Sequence, residues 1–233
     1  MPDKIKTDLR LLANPLKAKF LAGFFKTGKG EYGEGDVFLG IHVPDVRAVA
    51  VKHTGLSLVE IGKLLGSPVH EERLASLLVL IDKYKKAPND GKKACIDFYL
   101  ANASRVNNWD LVDLSAHQML GDYLLSHAAL KPALVKLAKS GSLWERRISI
   151  IATYAFIKKR KFEETLSIAG LLLNDKHDLI HKAVGWMLRE VCKRDMAAGE
   201  KFLRKHYKRM PRTMLRYAVE RFNPAKREKY LRK

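Results

Sequence analysis

The sequence predicts an all-α protein, a solenoid of stacked helix pairs (an α-α superhelix) with a basic concave groove. Apolar residues recur at helical spacing almost throughout, as in Leu74, Leu77, Leu78 and Ile81 or Ile180, Val184, Met187 and Leu188. No convincing run of period-two alternation interrupts them. The eight prolines fall between the periodic segments or at their starts, where a missing amide donor costs little. These observations give roughly a dozen helices, and 233 residues are enough for one domain, 1–233, built by repetition.

Taken in order, the first conspicuous feature is a non-helical insert between Phe25 and Phe38, KTGKGEYGEGDV. Its Gly28, Gly30 and Gly33 match G-x-G-x-x-G, but a dinucleotide fingerprint needs a preceding strand and bare amides for a pyrophosphate. This insert follows a helical pattern and carries Glu31, Glu34 and Asp36, so it reads as a glycine-rich connector presenting Tyr32. From there one pattern returns five times: EERLASLL at Glu71, WDLVDLSA at Trp109, ERRISIIA at Glu145, IHKAVGWM at Ile180 and MLRYAVER at Met214. Aligning Arg73, Asp110, Arg147, Lys182 and Arg216 gives spacings of 37, 37, 35 and 34 residues. Two-helix units of that length that cannot bury their apolar faces alone are the mark of a HEAT-type solenoid. Four of the aligned positions are basic and are expected in a row on one face, although charged residues on a helix also have an ordinary place in solvent.

Charge limits the partners. Lys and Arg number 44 against 25 Asp and Glu, a formal charge of +19 with a pI near 9.9. A polyanion is the favoured ligand, because each neutralised phosphate releases condensed counterions, and nucleic acid ranks above an anionic membrane. From Lys182 to Lys233 there are 17 Lys and Arg against 5 Asp and Glu, on amphipathic patterns, which points to a folded basic surface. The longest apolar stretch, Ile148 to Ile157, is about half of a membrane span. The N-terminus alternates charge without an apolar signal region, so a cytoplasmic protein is expected. Cys95 and Cys192 stand far apart with no ligand-spaced neighbour, which argues against a zinc site or a disulfide framework.

Against this basic background NNWDLVD, Asn107 to Asp113, is the exception. Asn107 or Asn108 suits a helix N-cap, and Asp110 in the first turn opposes the helix dipole. Asp113 lies four residues from Trp109 and so on the same helix face. It has two readings. One is an ion pair with a cation of the adjacent repeat, such as Arg147. The other is catalytic: a carboxylate on a phosphate-binding surface is useful when positive charge develops nearby, as on the deoxyribose during cleavage of an N-glycosidic bond. Such a group would contribute on the order of 3 kcal/mol, about a hundredfold in rate. Trp109 would lie against the sugar and Arg147 would hold a phosphate. Trp144 reads as core. Trp186, between Gly185 and Arg189, is either core or a ligand contact; His42 and His181 are the histidines that could lie near ligand.

FLGIHVPDVR at Phe38, NWDLVD at Asn108, LWERRISI at Leu143 and HKAVGWMLREV at His181 together resemble the blocks of the AlkD-type alkylpurine DNA glycosylases, or DNA alkylation repair proteins, in the same order and at similar separations. The resemblance covers nearly the whole chain. It implies removal of cationic alkylated purines such as N3-methyladenine and N7-methylguanine from double-stranded DNA, without a metal or an organic cofactor; a solenoid with one binding groove usually needs no partner, so a monomer is expected. The resemblance places the catalytic aspartate on Asp113, the sugar-contacting tryptophans on Trp109 and Trp186, and the phosphate-binding arginine on Arg147. Further DNA contacts are expected from Lys182, Arg189, Arg216, Arg73, His42 and Phe24. Departures stand at Phe24 and His42, where better-known members carry tyrosine and glutamine, and at Asn108, where they carry a second tryptophan. The alternative is a catalytically silent HEAT-repeat protein that binds distorted or branched DNA.

Overall fold

The computed structural model describes residues 2–232 and is all-α. The five aligned positions Arg73, Asp110, Arg147, Lys182 and Arg216 all lie in helices, within His70–Lys86, Trp109–Ser115, Leu143–Ala152, Asp178–Arg194 and Arg212–Ala218. Among the described residues the only β pairing is an isolated parallel bridge between Val37 and Val69. The prolines sit where the sequence suggests: Pro15, Pro44, Pro132 and Pro224 occupy the first turns of helices, and Pro88 and Pro211 are N-caps. Among the described residues no helix is long and apolar enough to cross a membrane. The contacts gather into two compact units, Met1–Leu111 and Val112–Lys233, with the division inside helix Trp109–Ser115.

The first unit is organised around helix His70–Lys86. Helices Pro2–Arg10, Val43–Val51, Leu58–Leu65 and Asn89–Ala101 all pack against it. Surrounded in this way, it buries every residue from His70 to Ile81. Its polar side chains therefore need internal partners, since a buried charge without one is costly. Glu71 meets that need with backbone: its carboxylate accepts from the amides of Leu39 (2.9 Å), Gly40 (2.8 Å) and Ile41 (3.2 Å). Gly40 has φ +83°, and a Cβ there would lie 2.2 Å from the Asn14 carbonyl, so only glycine fits this anchored turn.

The second unit is organised around helix Asp178–Arg194, which packs on Leu143–Ala152, Tyr154–Lys158, Glu163–Leu171, Met196–His206 and Arg212–Ala218. Gly185 permits the close approach of Arg212–Ala218, because a Cβ there would come within 2.5 Å of both the Met214 carbonyl and the Tyr217 Cβ. The helix that starts at Trp109 continues through a π-helical turn, His117–Gly121, into Asp122–Ser126. In that turn Gly121 N–H donates to the Ala116 carbonyl at 3.0 Å. The extra residue brings Gly121 against Ala152, whose carbonyl would be 2.1 Å from any Cβ.

Candidate active site

The glycine-rich insert ends in the first unit as a folded, self-capped loop. Glu31 accepts from Gly28 N–H at 2.9 Å and Glu34 from Gly30 N–H at 2.8 Å. Its own carboxylates thus occupy the amides that a pyrophosphate would need, in agreement with its reading as a connector.

Asp36, at the end of that loop, is buried and joins four other polar residues. Its Oδ1 accepts from Arg73 Nη2 at 2.6 Å, and its Oδ2 from Asn108 Nδ2 at 3.1 Å and His70 Nδ1 at 3.2 Å. The other ring nitrogen, His70 Nε2, donates to Asp110 Oδ2 at 2.7 Å. With a carboxylate at each nitrogen, the ring is an imidazolium. Burial opposes that charge and so does Arg73, but the charge and bond of Asp110 and the bond to Asp36 raise the His70 pKa to about 9. For Asp36 burial again works against ionisation, and the His70 bond and the Arg73 charge outweigh it, holding the carboxyl below its ordinary range.

An aromatic stack lies on this network. The Phe38 ring is 4.6 Å from His70 and Phe25 is 5.0 Å from Phe38, both stacked. Trp109 lies almost parallel to Phe25, 5.1 Å away at 13°, and Phe24 meets Trp109 edge-on at 6.0 Å. Asn108 is the residue before the helix, and its Oδ1 accepts from Trp109 N–H at 2.8 Å. Phe24 is 55% exposed on a helix that buries no residue. His42 is exposed at the N-cap of Val43–Val51, beside the Lys17 ammonium.

The expectation for Arg73 is corrected. It is 3% exposed, with one nitrogen on Asp36 and another donating to the Ser67 carbonyl at 2.9 Å, so it faces the interior and not a phosphate. Helical spacing put it on a solvent face; the ring of surrounding helices makes that face core.

In the second unit Asp113 and Arg147 form a two-pronged ion pair. Arg147 Nε donates to Oδ1 at 2.9 Å and Nη2 to Oδ2 at 2.8 Å, while Nη1 donates to the Leu179 carbonyl. The pairing read from sequence as one of two alternatives is therefore present. The Arg147 side chain is 5% exposed and that of Asp113 19%, so the acid and not the arginine is the more accessible partner. This corrects the picture of Arg147 as an open phosphate contact, since three of its nitrogens already have acceptors inside the protein.

Trp186 is half-buried 5.9 Å from Tyr154, a residue that sequence reasoning did not single out. His117 meets Tyr154 edge-on at 5.4 Å, and Lys158 Nζ and the Arg194 guanidinium lie 5.4 and 5.7 Å from its ring centre. The signal was available: His117 is one helical step of four from Asp113. Lys182 pairs with Asp178 at 2.8 Å, Arg189 with Glu220, and Arg216 is exposed. Among the described residues no three His, Cys, Asp or Glu are arranged to hold a metal ion. Chemically the second unit offers an oriented, partly accessible carboxylate, suited to meeting positive charge.

A family model described as DNA alkylation repair enzyme matches residues 5–222. Among solved structures, one described as a predicted DNA alkylation repair enzyme from Enterococcus faecalis superposes with a TM-score of 0.72, at 16% identity, over 91% of this chain and 97% of that one. At that identity the likeness establishes a common fold. A search of curated proteins returned no match.

Proposed function

This chain belongs to the DNA alkylation repair enzyme family, and from that premise we propose that it is a glycosylase that hydrolyses the N-glycosidic bond of cationic alkylated purines, N3-methyladenine and N7-methylguanine, in duplex DNA. The observation that carries the reading is the Asp113 carboxylate, fixed by two bonds from a buried arginine yet still reachable from solvent. As the bond to the purine stretches, the deoxyribose gains oxocarbenium character, and a carboxylate already oriented stabilises that charge without reorganising. A purine that is already cationic leaves without protonation, so the reaction needs no general acid.

In this reading Arg147 keeps Asp113 aimed. Trp109, one helical turn before Asp113 on the same helix, and Trp186 lie against the sugar. Lys182, Arg189 and Arg216, with His42 and Phe24 from the first unit, contact the DNA backbone. One copy of the chain acts alone, with no metal or organic cofactor. Backbone and shape contacts in this mode do the recognising.

The second reading, a duplex-binding protein without catalysis, draws on the same ion pair, because pairing with Arg147 gives Asp113 a structural task. Release of N7-methylguanine from methylated duplex DNA separates the two. The glycosylase reading expects release by the native chain and its near-complete loss in Asp113→Asn with DNA binding retained. Binding without any release by the native chain would leave the second reading standing.

A further inference from the structure

We propose that His70 is a positioning residue for Trp109, setting through two carboxylates and an aromatic stack the pose in which the indole meets the substrate sugar. The contact with a sugar rests on the glycosylase reading; the positioning rests on the geometry of the first unit alone.

Trp109 is held from three directions, and each leads back to His70. On its N-terminal side Asn108 accepts from the Trp109 amide and donates to Asp36, which in turn takes a bond from His70 Nδ1. On its C-terminal side the next residue, Asp110, takes the bond from His70 Nε2. Beneath its ring, Phe25 and Phe38 carry the stack down to the face of the imidazole. The charged groups against His70 are Asp36 and Asp110, with Arg73 bonded to the far oxygen of Asp36. A doubly protonated planar ring can serve both carboxylates at its edge while presenting its face to Phe38. Phenylalanine could keep the stack only, and glutamine could not supply the ring.

This arrangement exceeds what helix capping requires. Asn108 already bonds the first helical amide, and Asp110 already lies in the first turn. A buried ion network costs desolvation, and its best-attested return is a unique arrangement of the groups attached to it. Here the attached group is a half-buried tryptophan whose stack ends on that network.

The pose has a pH signature. With a pKa near 9, His70 loses a proton above that pH, and one carboxylate then faces a lone pair in place of a donor. The full chain carrying Trp144→Phe and Trp186→Phe leaves Trp109 as its sole indole. Its emission is expected to move to the red and its quenching by acrylamide to rise between pH 8 and 10, with a midpoint near 9 and unchanged far-ultraviolet circular dichroism. Adding His70→Phe should abolish the titration and leave the high-pH signal throughout. In a chain with all its tryptophans, His70→Phe should lower kcat for N7-methylguanine release about tenfold or more with KM nearly unchanged, the split expected of a misplaced contact. A Trp109 signal that is flat across this pH range in the native ring environment overturns the proposal, even if His70→Phe fails to fold. A native kcat retained by a folded His70→Phe variant also overturns it. If Trp109 titrates as described but the native chain releases no base, the glycosylase reading falls and the positioning stands.

Discussion

At the scale of single residues the pair of Asp113 and Arg147 decides most. Under the proposed glycosylase function, Asp113→Asn keeps the shape and one acceptor but removes the charge that would answer the sugar cation, so base release should fall at least about a hundredfold. Affinity for duplex DNA should hold or tighten, because a negative charge has left a phosphate-binding surface; single-turnover kinetics and fluorescence anisotropy measure the two effects. Arg147→Ala leaves a carboxylate without its donors and should cost both stability, on the order of 3 kcal/mol for a broken buried pair, and most of the release rate. Because the guanidinium is nearly inaccessible, the same change should not alter how DNA affinity depends on salt. Spacing alone brought Asp113, Trp109 and Arg147 into view, since helical periodicity states which side chains share a face. It could not say that Arg147 points inward, because periodicity describes one helix and burial depends on what packs against it. Arg73 illustrates the same limit more sharply. The residue looks like a surface cation in its own helix, and only the four helices around it turn it into a partner for Asp36.

At the scale of elements the helix His70–Lys86 ties stability to pH in two directions. The His70 pKa is raised above its ordinary 6.5 to about 9, so its contribution is fully present below about pH 6.5 and is lost as pH rises through 9. Asp36 is shifted downward, so its contribution is present above the usual carboxylate range and is lost only as pH falls below it. Thermal melts of the native chain should therefore show a plateau on the acid side of about pH 6.5 and a decline from there to about pH 9, at most on the order of 3 kcal/mol. His70→Phe should remove the alkaline decline and lower the plateau. The π-helical turn makes a separate claim. Gly121→Ala places a methyl group against the Ala152 carbonyl, with backbone on both sides, and should destabilise the fold by about 1–3 kcal/mol in denaturant titrations. Helices were legible because proline placement and apolar period agree. The π-turn was not, because a single extra residue inside a helical pattern leaves the pattern intact on both sides.

At the scale of the whole chain the net charge of +19 sets the interaction with DNA. Affinity for unmodified duplex should fall linearly with salt on logarithmic axes, as counterion release requires. Several cations already have protein partners, among them Lys182 with Asp178 and Arg189 with Glu220. The slope should accordingly report fewer phosphates than the surplus of Lys and Arg suggests. Arg216→Ala, on an exposed position, should make the slope shallower by about one unit, in contrast with Arg147→Ala. Composition showed the sign of the ligand's charge. How many cations are available to meet it depended on acids such as Asp178 and Glu220, which sit one turn or many residues away and carry no mark in the sequence.

The clamp that Glu71 places on Leu39, Gly40 and Ile41 has a consequence in time as well as in space. These three amides belong to no helix or strand, and segments of that kind ordinarily trade their protons with water within seconds. Bonded to one buried carboxylate anchored on the central helix, they should instead exchange with deuterium as slowly as the helix itself, opening only when the first unit opens as a whole. Glu71→Gln would give them the rapid exchange of an ordinary loop.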